Sequence, residues 1–160
     1  MKKQKIEINL EVFESISELP KNIQELMIRA QQAREHAYAP YSLFRVGAAL
    51  RLSSGEIVLG NNQENAAYPS GLCAERVAVF SAGANFPNEI ITDLAITVRA
   101  ESHEVTEAIA PCGACRQSLA EFEQKQKAPI NIYFMGEKGE IFKVGSVMDL
   151  LPLGFDAKYL

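Results

Sequence analysis

Leu94-Ala-Ile-Thr-Val98, Pro111-Cys-Gly-Ala-Cys-Arg-Gln117 and Ile130-Asn-Ile-Tyr-Phe-Met135 follow one another in the chain, and their reading decides the fold. The first and third are short apolar runs rich in β-branched and aromatic residues, as buried strands are. Between them, Pro111 sits just ahead of a predicted helix running from Cys112 to about Lys125. A strand–helix–strand passage favours parallel neighbours in a sheet. Hairpins flank it on both sides. Phe44–Leu52 and Glu56–Leu59 are joined by Ser53-Ser-Gly55, while Ile130–Met135 and Glu140–Val144 are joined around Gly136-Glu-Lys-Gly139. Hairpins require antiparallel pairing, so both demands are met by a mixed sheet of about five strands with helices on each face, a three-layer α/β/α class.

Further out, Ile23, Leu26, Met27, Ala30 and Ala33 fall at helical spacing, with Pro20 as a first-turn residue and an expected end near Ala37. Pro40 then opens a turn. A second helix is predicted from Cys73 to about Gly83, and a last helical turn from Ser146 to Leu151 stops at Pro152. Upstream of everything, Ile6, Ile8, Leu10 and Val12 alternate with polar residues, which predicts a half-buried strand in an N-terminal extension over 1–19. No repeat or linker interrupts the chain, which reads as one domain over 1–160.

Composition excludes several classes. Apolar residues make up 48 % of the 160 and charged ones 22 %, a globular balance rather than a disordered one. No apolar run approaches the length of a membrane span. Met1-Lys-Lys-Gln-Lys5 is basic, yet no apolar stretch follows, so a secretory signal is not expected. A net charge of −4 without a basic stripe argues against a nucleic-acid partner. The three cysteines, an odd number, are expected as thiols in the reducing cytoplasm.

All three cysteines lie at starts of predicted helices. Cys112 and Cys115, three apart, share a helix face, and helix N-termini favour thiolate over thiol. A third thiolate from Cys73 would complete three ligands of a tetrahedral zinc site. Taken alone, the C-x-x-C also fits a redox pair or two buried thiols, and Cys73 a small core residue. A structural zinc site is a further reading, but only His36 and His103 could fill a fourth position, and their polar neighbours mark both as surface residues. Zinc with three thiolates carries a formal charge of −1, which weakens its hold on a bound water's proton; Arg76 and Arg116 are candidate donors that offset it. Glu75 lies two residues from Cys73, hence on nearly the opposite face of a regular helix. It can approach the metal only if Cys73 caps that helix; otherwise it serves the helix dipole.

Together Pro40-Tyr-Ser-Leu-Phe-Arg-Val-Gly-Ala-Ala49, Asn62-Gln-Glu-Asn-Ala66, Cys73-Ala-Glu-Arg76 and Pro111-Cys-Gly-Ala-Cys-Arg-Gln117 make the chain resemble cytidine deaminases over roughly residues 20 to 155. The short, three-cysteine, homotetrameric branch is the most similar. The resemblance implies one Zn2+ per subunit on Cys73, Cys112 and Cys115, with Glu75 as proton shuttle and Arg76 neutralising the thiolates. It implies that Asn62 and Glu64 bind the ribose, Phe44 packs on the pyrimidine, and the backbone of Ala74 meets the ring carbonyl. Phe155 would reach a neighbouring subunit's site, and Tyr68 would lie near subunit contacts. The implied activity is hydrolytic deamination of cytidine and deoxycytidine with release of ammonia. The extension before Lys21 and Ala110 ahead of the proline depart from the family pattern. Three rivals stand beside this reading: a blasticidin-type antibiotic deaminase, a polynucleotide cytosine deaminase, and a non-catalytic zinc-stabilised interaction module.

Overall fold

The computed structural model describes residues Met1–Leu160. Its centre is the strand–helix–strand passage. Strand β4 (Ile91–Ala100) and strand β5 (Asn131–Met135) pair in parallel, joined through helix α3 (Gly113–Gln126). The hairpins add antiparallel strands outside them: β2 (Phe44–Leu52) and β3 (Ile57–Asn61) beyond β4, and β6 (Ile141–Val144) beyond β5. A short strand β1 (Glu11–Phe13) pairs with β6, so the sheet has six strands in the order β1-β6-β5-β4-β2-β3, one more than the expected five.

Helix α1 (Lys21–Glu35) covers one face of the sheet, and α2 (Ala74–Asn85) covers the other together with α3. Strand alternation sorts the two cores. Ala49, Ala95, Tyr133 and Met135 point to α1, packing with Leu26, Met27 and Ala30. Ala48, Leu50, Leu94, Ile96, Ile132 and Phe134 point the other way, onto Ala78, Val79 and Leu119. The expected three layers are present.

The N-terminal expectation needs correction. The alternation predicts a strand over residues 6–12, but strand geometry covers only Glu11–Phe13. The reason is register: Glu11 lies opposite Lys143, and β6 ends at Val144, one residue further on. Residues upstream of Leu10 therefore run past their partner's end. Ile6, Ile8, Leu10 and Val12 are 52, 50, 42 and 50 % exposed, not packed as the pattern suggests. The expected helical turn at 146–151 is a 3-10 turn, Val147–Asp149, capped by the Ser146 hydroxyl.

Candidate active site

Two helix starts meet at one end of the sheet. Cys73 and Cys112 occupy the N-cap positions of α2 and α3, with extended backbone at each (ψ 153° and 165°). A cap residue stands outside the helical spiral, so its side chain is not bound to the face spacing of the residues after it. Cys115 sits in the first turn of α3 and is buried. The Sγ atoms of Cys73 and Cys112 are 3.7 Å apart, those of Cys112 and Cys115 are 3.5 Å apart, and all three lie within 4.8 Å of one another. Zinc–sulfur bonds of about 2.3 Å in a tetrahedron set sulfurs about 3.8 Å apart, so the donor set fits one zinc ion.

The charge environment suits thiolates. Arg76 Nη2 approaches Cys73 Sγ at 3.8 Å from the first turn of α2. The Cys73 thiol is held well below its ordinary range, first by hydrogen bonding with Cys115 and then by Arg76, against the opposing effect of burial. The Cys115 thiol, the proton-keeping partner, is pushed up by that same contact and by burial. Arg116 does not join this group, contrary to expectation. Its Nε donates to the Pro111 carbonyl and its Nη1 to the Leu150 carbonyl, each at 2.7 Å, so it ties the start of α3 to the C-terminal segment. His36 ends α1 and is exposed, while His103 Nδ1 lies 3.0 Å from the Ser102 hydroxyl; neither belongs to the thiol cluster.

Glu75 is 4 % exposed, one residue into α2 behind its cysteine cap. The condition for bringing it beside the sulfurs is met, because Cys73 is the cap. Burial raises its carboxyl above the usual range, and the Cys73 thiolate adds to that. Ala74 is fully buried as the first residue of α2, where a backbone N–H has no intrahelical acceptor.

A cavity of about 740 Å³ opens above this cluster on the α2/α3 side of the sheet. Phe44, Val46, Ile96 and Val98 supply apolar walls, Asn62 and Glu64 polar ones, and Cys73, Glu75 and Cys112 the sulfur and carboxylate end. Each polar wall is pre-set. Asn62 Oδ1 accepts from the Val46 amide at 2.7 Å and its Nδ2 donates to the Phe44 carbonyl at 2.9 Å, pinning the first residues of β2. Glu64 accepts from the Ser42 hydroxyl and from the amides of Tyr41 and Ser42. Partial burial pushes its carboxyl up, and these three donors outweigh that and hold it below the ordinary range. Tyr41 and Tyr68 stand at the mouth, ring centroids 6.1 Å apart, with Tyr68 75 % exposed. Phe155 lies elsewhere: it is 59 % exposed, stacked on Tyr159 beside the second half of α3.

Ser42, Val46, Ile96 and Val98 were not legible as site residues. Val46, Ile96 and Val98 meet only through the pairing of β2 with β4, and Ser42 meets Glu64, 22 positions away, outside any strand.

Three converging thiols at two helix caps, with a buried carboxylate at the floor of a half-apolar cleft, define a hydrolytic metal-centre architecture. Comparison with known proteins agrees. Residues 20–129 match the family described as the cytidine and deoxycytidylate deaminase zinc-binding region. A cytidine deaminase from Halalkalibacterium halodurans is 41 % identical over 135 residues, covering 84 % of this chain and 95 % of that protein. One from Sporosarcina psychrophila is 38 % identical over 139 residues, covering 87 % and 95 %. The crystal structure of cytidine deaminase from Burkholderia pseudomallei superposes with a TM-score of 0.71 at 41 % identity, covering 82 % of this chain and 97 % of that one. The chain belongs to the cytidine and deoxycytidylate deaminase family.

Proposed function

We propose that the protein is a zinc-dependent enzyme, one deaminase domain in extent, that hydrolyses cytidine and deoxycytidine to uridine and deoxyuridine with release of ammonia, a step of pyrimidine salvage. The observation that carries this reading is the buried Glu75 carboxyl beside the Cys73, Cys112 and Cys115 cluster at the end of an apolar cleft. Zinc, when bound, polarises a water so that it can act as a nucleophile near neutral pH. The remaining work falls to the chain's own groups. Glu75 accepts one proton from the water and delivers it to ring N3, then takes the second proton from the hydroxyl now on C4 and passes it to the departing amine as the C4=O bond forms. Overall the C4–N bond breaks and a C4=O bond replaces it, water in and ammonia out. A carboxyl with its proton affinity raised by burial suits both taking and returning that proton.

Phe44 and the apolar walls hold the pyrimidine, and the Ala74 amide donates to its ring carbonyl. Arg76 offsets the thiolate charge. Asn62 and Glu64 hold the sugar. A carboxylate offers about four lone-pair sites, and Glu64 has three donors from the 41–42 turn, which leaves capacity for a ribose hydroxyl. A free base cannot supply that hydroxyl, so cytosine should be turned over poorly.

The family relatives named above are cytidine deaminases, which supports the nucleoside as substrate. We further propose a homo-oligomer, a tetramer, in which Phe155 completes a neighbour's site. The exposed apolar collar of Tyr41, Tyr68, Leu72 and Ile109 at the cleft supports such assembly. No helix is long and apolar enough to cross a membrane, and the three free thiols suit the cytoplasm. The deciding assay is ammonia release from cytidine beside cytosine and a cytidine oligonucleotide. Turnover of cytidine alone is expected; equal turnover of cytosine would remove the sugar clamp, and preference for the oligonucleotide would replace the substrate class.

A further inference from the structure

The N-terminal arm lies outside everything the deaminase reading uses. The family match begins at residue 20, and the Halalkalibacterium halodurans relative is covered to 95 % by 135 residues of this chain. Yet the arm is patterned as a strand. Ile6, Ile8, Leu10 and Val12 share one face, about half exposed, with Lys5, Glu7, Asn9 and Glu11 on the other. It leads directly into β1, which is the edge strand of the sheet and pairs only with β6. The outer backbone groups of β1 are therefore an open ladder.

We infer that the arm pairs antiparallel with the arm of a second copy of this chain, joining two sheets edge to edge about a two-fold axis at Ile8. Charge favours this register over the two adjoining ones. Centring the axis on Glu7 stacks Glu7 on the partner's Glu7, and centring it on Asn9 sets Glu7 against the partner's Glu11. Like charges directly opposite are destabilising. Centring it on Ile8 sets Lys5 against the partner's Glu11, Lys2 against the partner's Glu14 and Ile6 against the partner's Leu10, each pair occurring twice by symmetry. The same register lays residues 3–5 along the outer edge of the partner's β1, filling the open ladder. Glu11 already accepts from Lys143 on β6 at 2.7 Å, so it would stand between two lysines in a three-strand charge ladder. The apolar alternation gains cross-strand partners that the single chain does not supply.

The arm runs past the C-terminal end of β6, whereas the active-site cleft lies where β4 ends and β2 begins. The contact is thus distinct from the collar around the cleft, and its test does not depend on catalysis. In the zinc-loaded full-length protein, Ile8→Cys places two thiols directly opposite, with Cα atoms about 4.5–5.5 Å apart, inside disulfide range. Leu10→Cys places them four residues out of step, about 13 Å apart and beyond it. Under mild oxidant the Ile8→Cys chain should form covalent dimers in high yield and the Leu10→Cys chain should not, while a mixture of Ile6→Cys and Leu10→Cys chains should cross-link to each other. Adding Lys5→Glu to Ile8→Cys should lower the yield several-fold, and adding Glu11→Lys as well should restore it. An Ile8→Cys yield no greater than that of Leu10→Cys, as expected of an arm that is free or folded on its own subunit, would overturn the pairing. A yield indifferent to Lys5→Glu would overturn the register.

Discussion

Glu75 shows how one side chain's chemistry is set by where its helix begins. Had α2 started a residue earlier, Cys73 would be the first helical residue and Glu75 would turn away from it. With Cys73 as the cap, sulfur and carboxylate serve one cavity floor. Replacing Glu75 by Gln is expected to leave zinc content and thermal melting near wild type while lowering kcat for cytidine by about 10²–10⁴-fold or more, read by metal analysis, calorimetry and ammonia release. Asn62 predicts a different profile. Truncation to Ala would strand the Val46 amide and the Phe44 carbonyl, both bonded to it. A loss of about 1–3 kcal/mol in urea unfolding is expected, together with a raised KM; an unchanged midpoint would dismiss its hold on β2. The cysteines, Glu75 and Arg76 all lie within a few residues of helix starts, but local spacing left Glu75 open between the metal and the helix dipole, and it was the resemblance to cytidine deaminases that gave these residues their expected roles. Arg116 was misread because its acceptors include the Leu150 carbonyl, 34 positions away, and no local rule reaches that far.

At the scale of elements, the seat of α2 depends on Gly60 in β3. A Cβ there would stand 2.3 Å from the Ala74 carbonyl oxygen and 2.6 Å from the Ala78 amide nitrogen, both backbone atoms of the helix. The strand can approach α2 this closely only without a side chain. Gly60→Ala should push the start of α2 off the sheet, with a drop of about 1–3 kcal/mol in stability and weaker zinc retention in a chelator competition. Zinc affinity equal to wild type would show that the helix start does not rest on this contact. The strands and helices themselves were legible from periodicity to within a few residues. The exception was the arm, where the pattern is right for a strand but the partner strand ends at Val144. Alternation describes what a segment can pair with, not whether a partner is in reach.

Across the whole molecule, the three thiols that would hold the metal join distant parts of the chain, and the proposed assembly would join separate chains. Removing zinc from the loaded protein should abolish activity and lower the melting temperature, because an ion bound only by the folded state stabilises it by mass action, and both should return on adding zinc back. If Phe155 serves a neighbour's site, Phe155→Ala and Glu75→Gln chains, each slow alone, should regain activity when co-expressed, because mixed sites then carry both groups. No recovery would assign Phe155 to its own subunit or to none. The sequence by itself determined the layer architecture, the helix starts and the Cys112–Cys115 pair, since these follow from apolar period, caps and a spacing of three residues; Cys73, 39 positions from Cys112, joined that pair only through the family resemblance. Only the tertiary structure decided the sixth strand, the apolar walls of the cleft, the clamp of Asn62 on β2 and the true partners of Arg116. Those depend on strand register and chain crossings between residues from 16 to more than a hundred positions apart, and local propensity carries no information about which distant backbone group will stand within hydrogen-bonding reach.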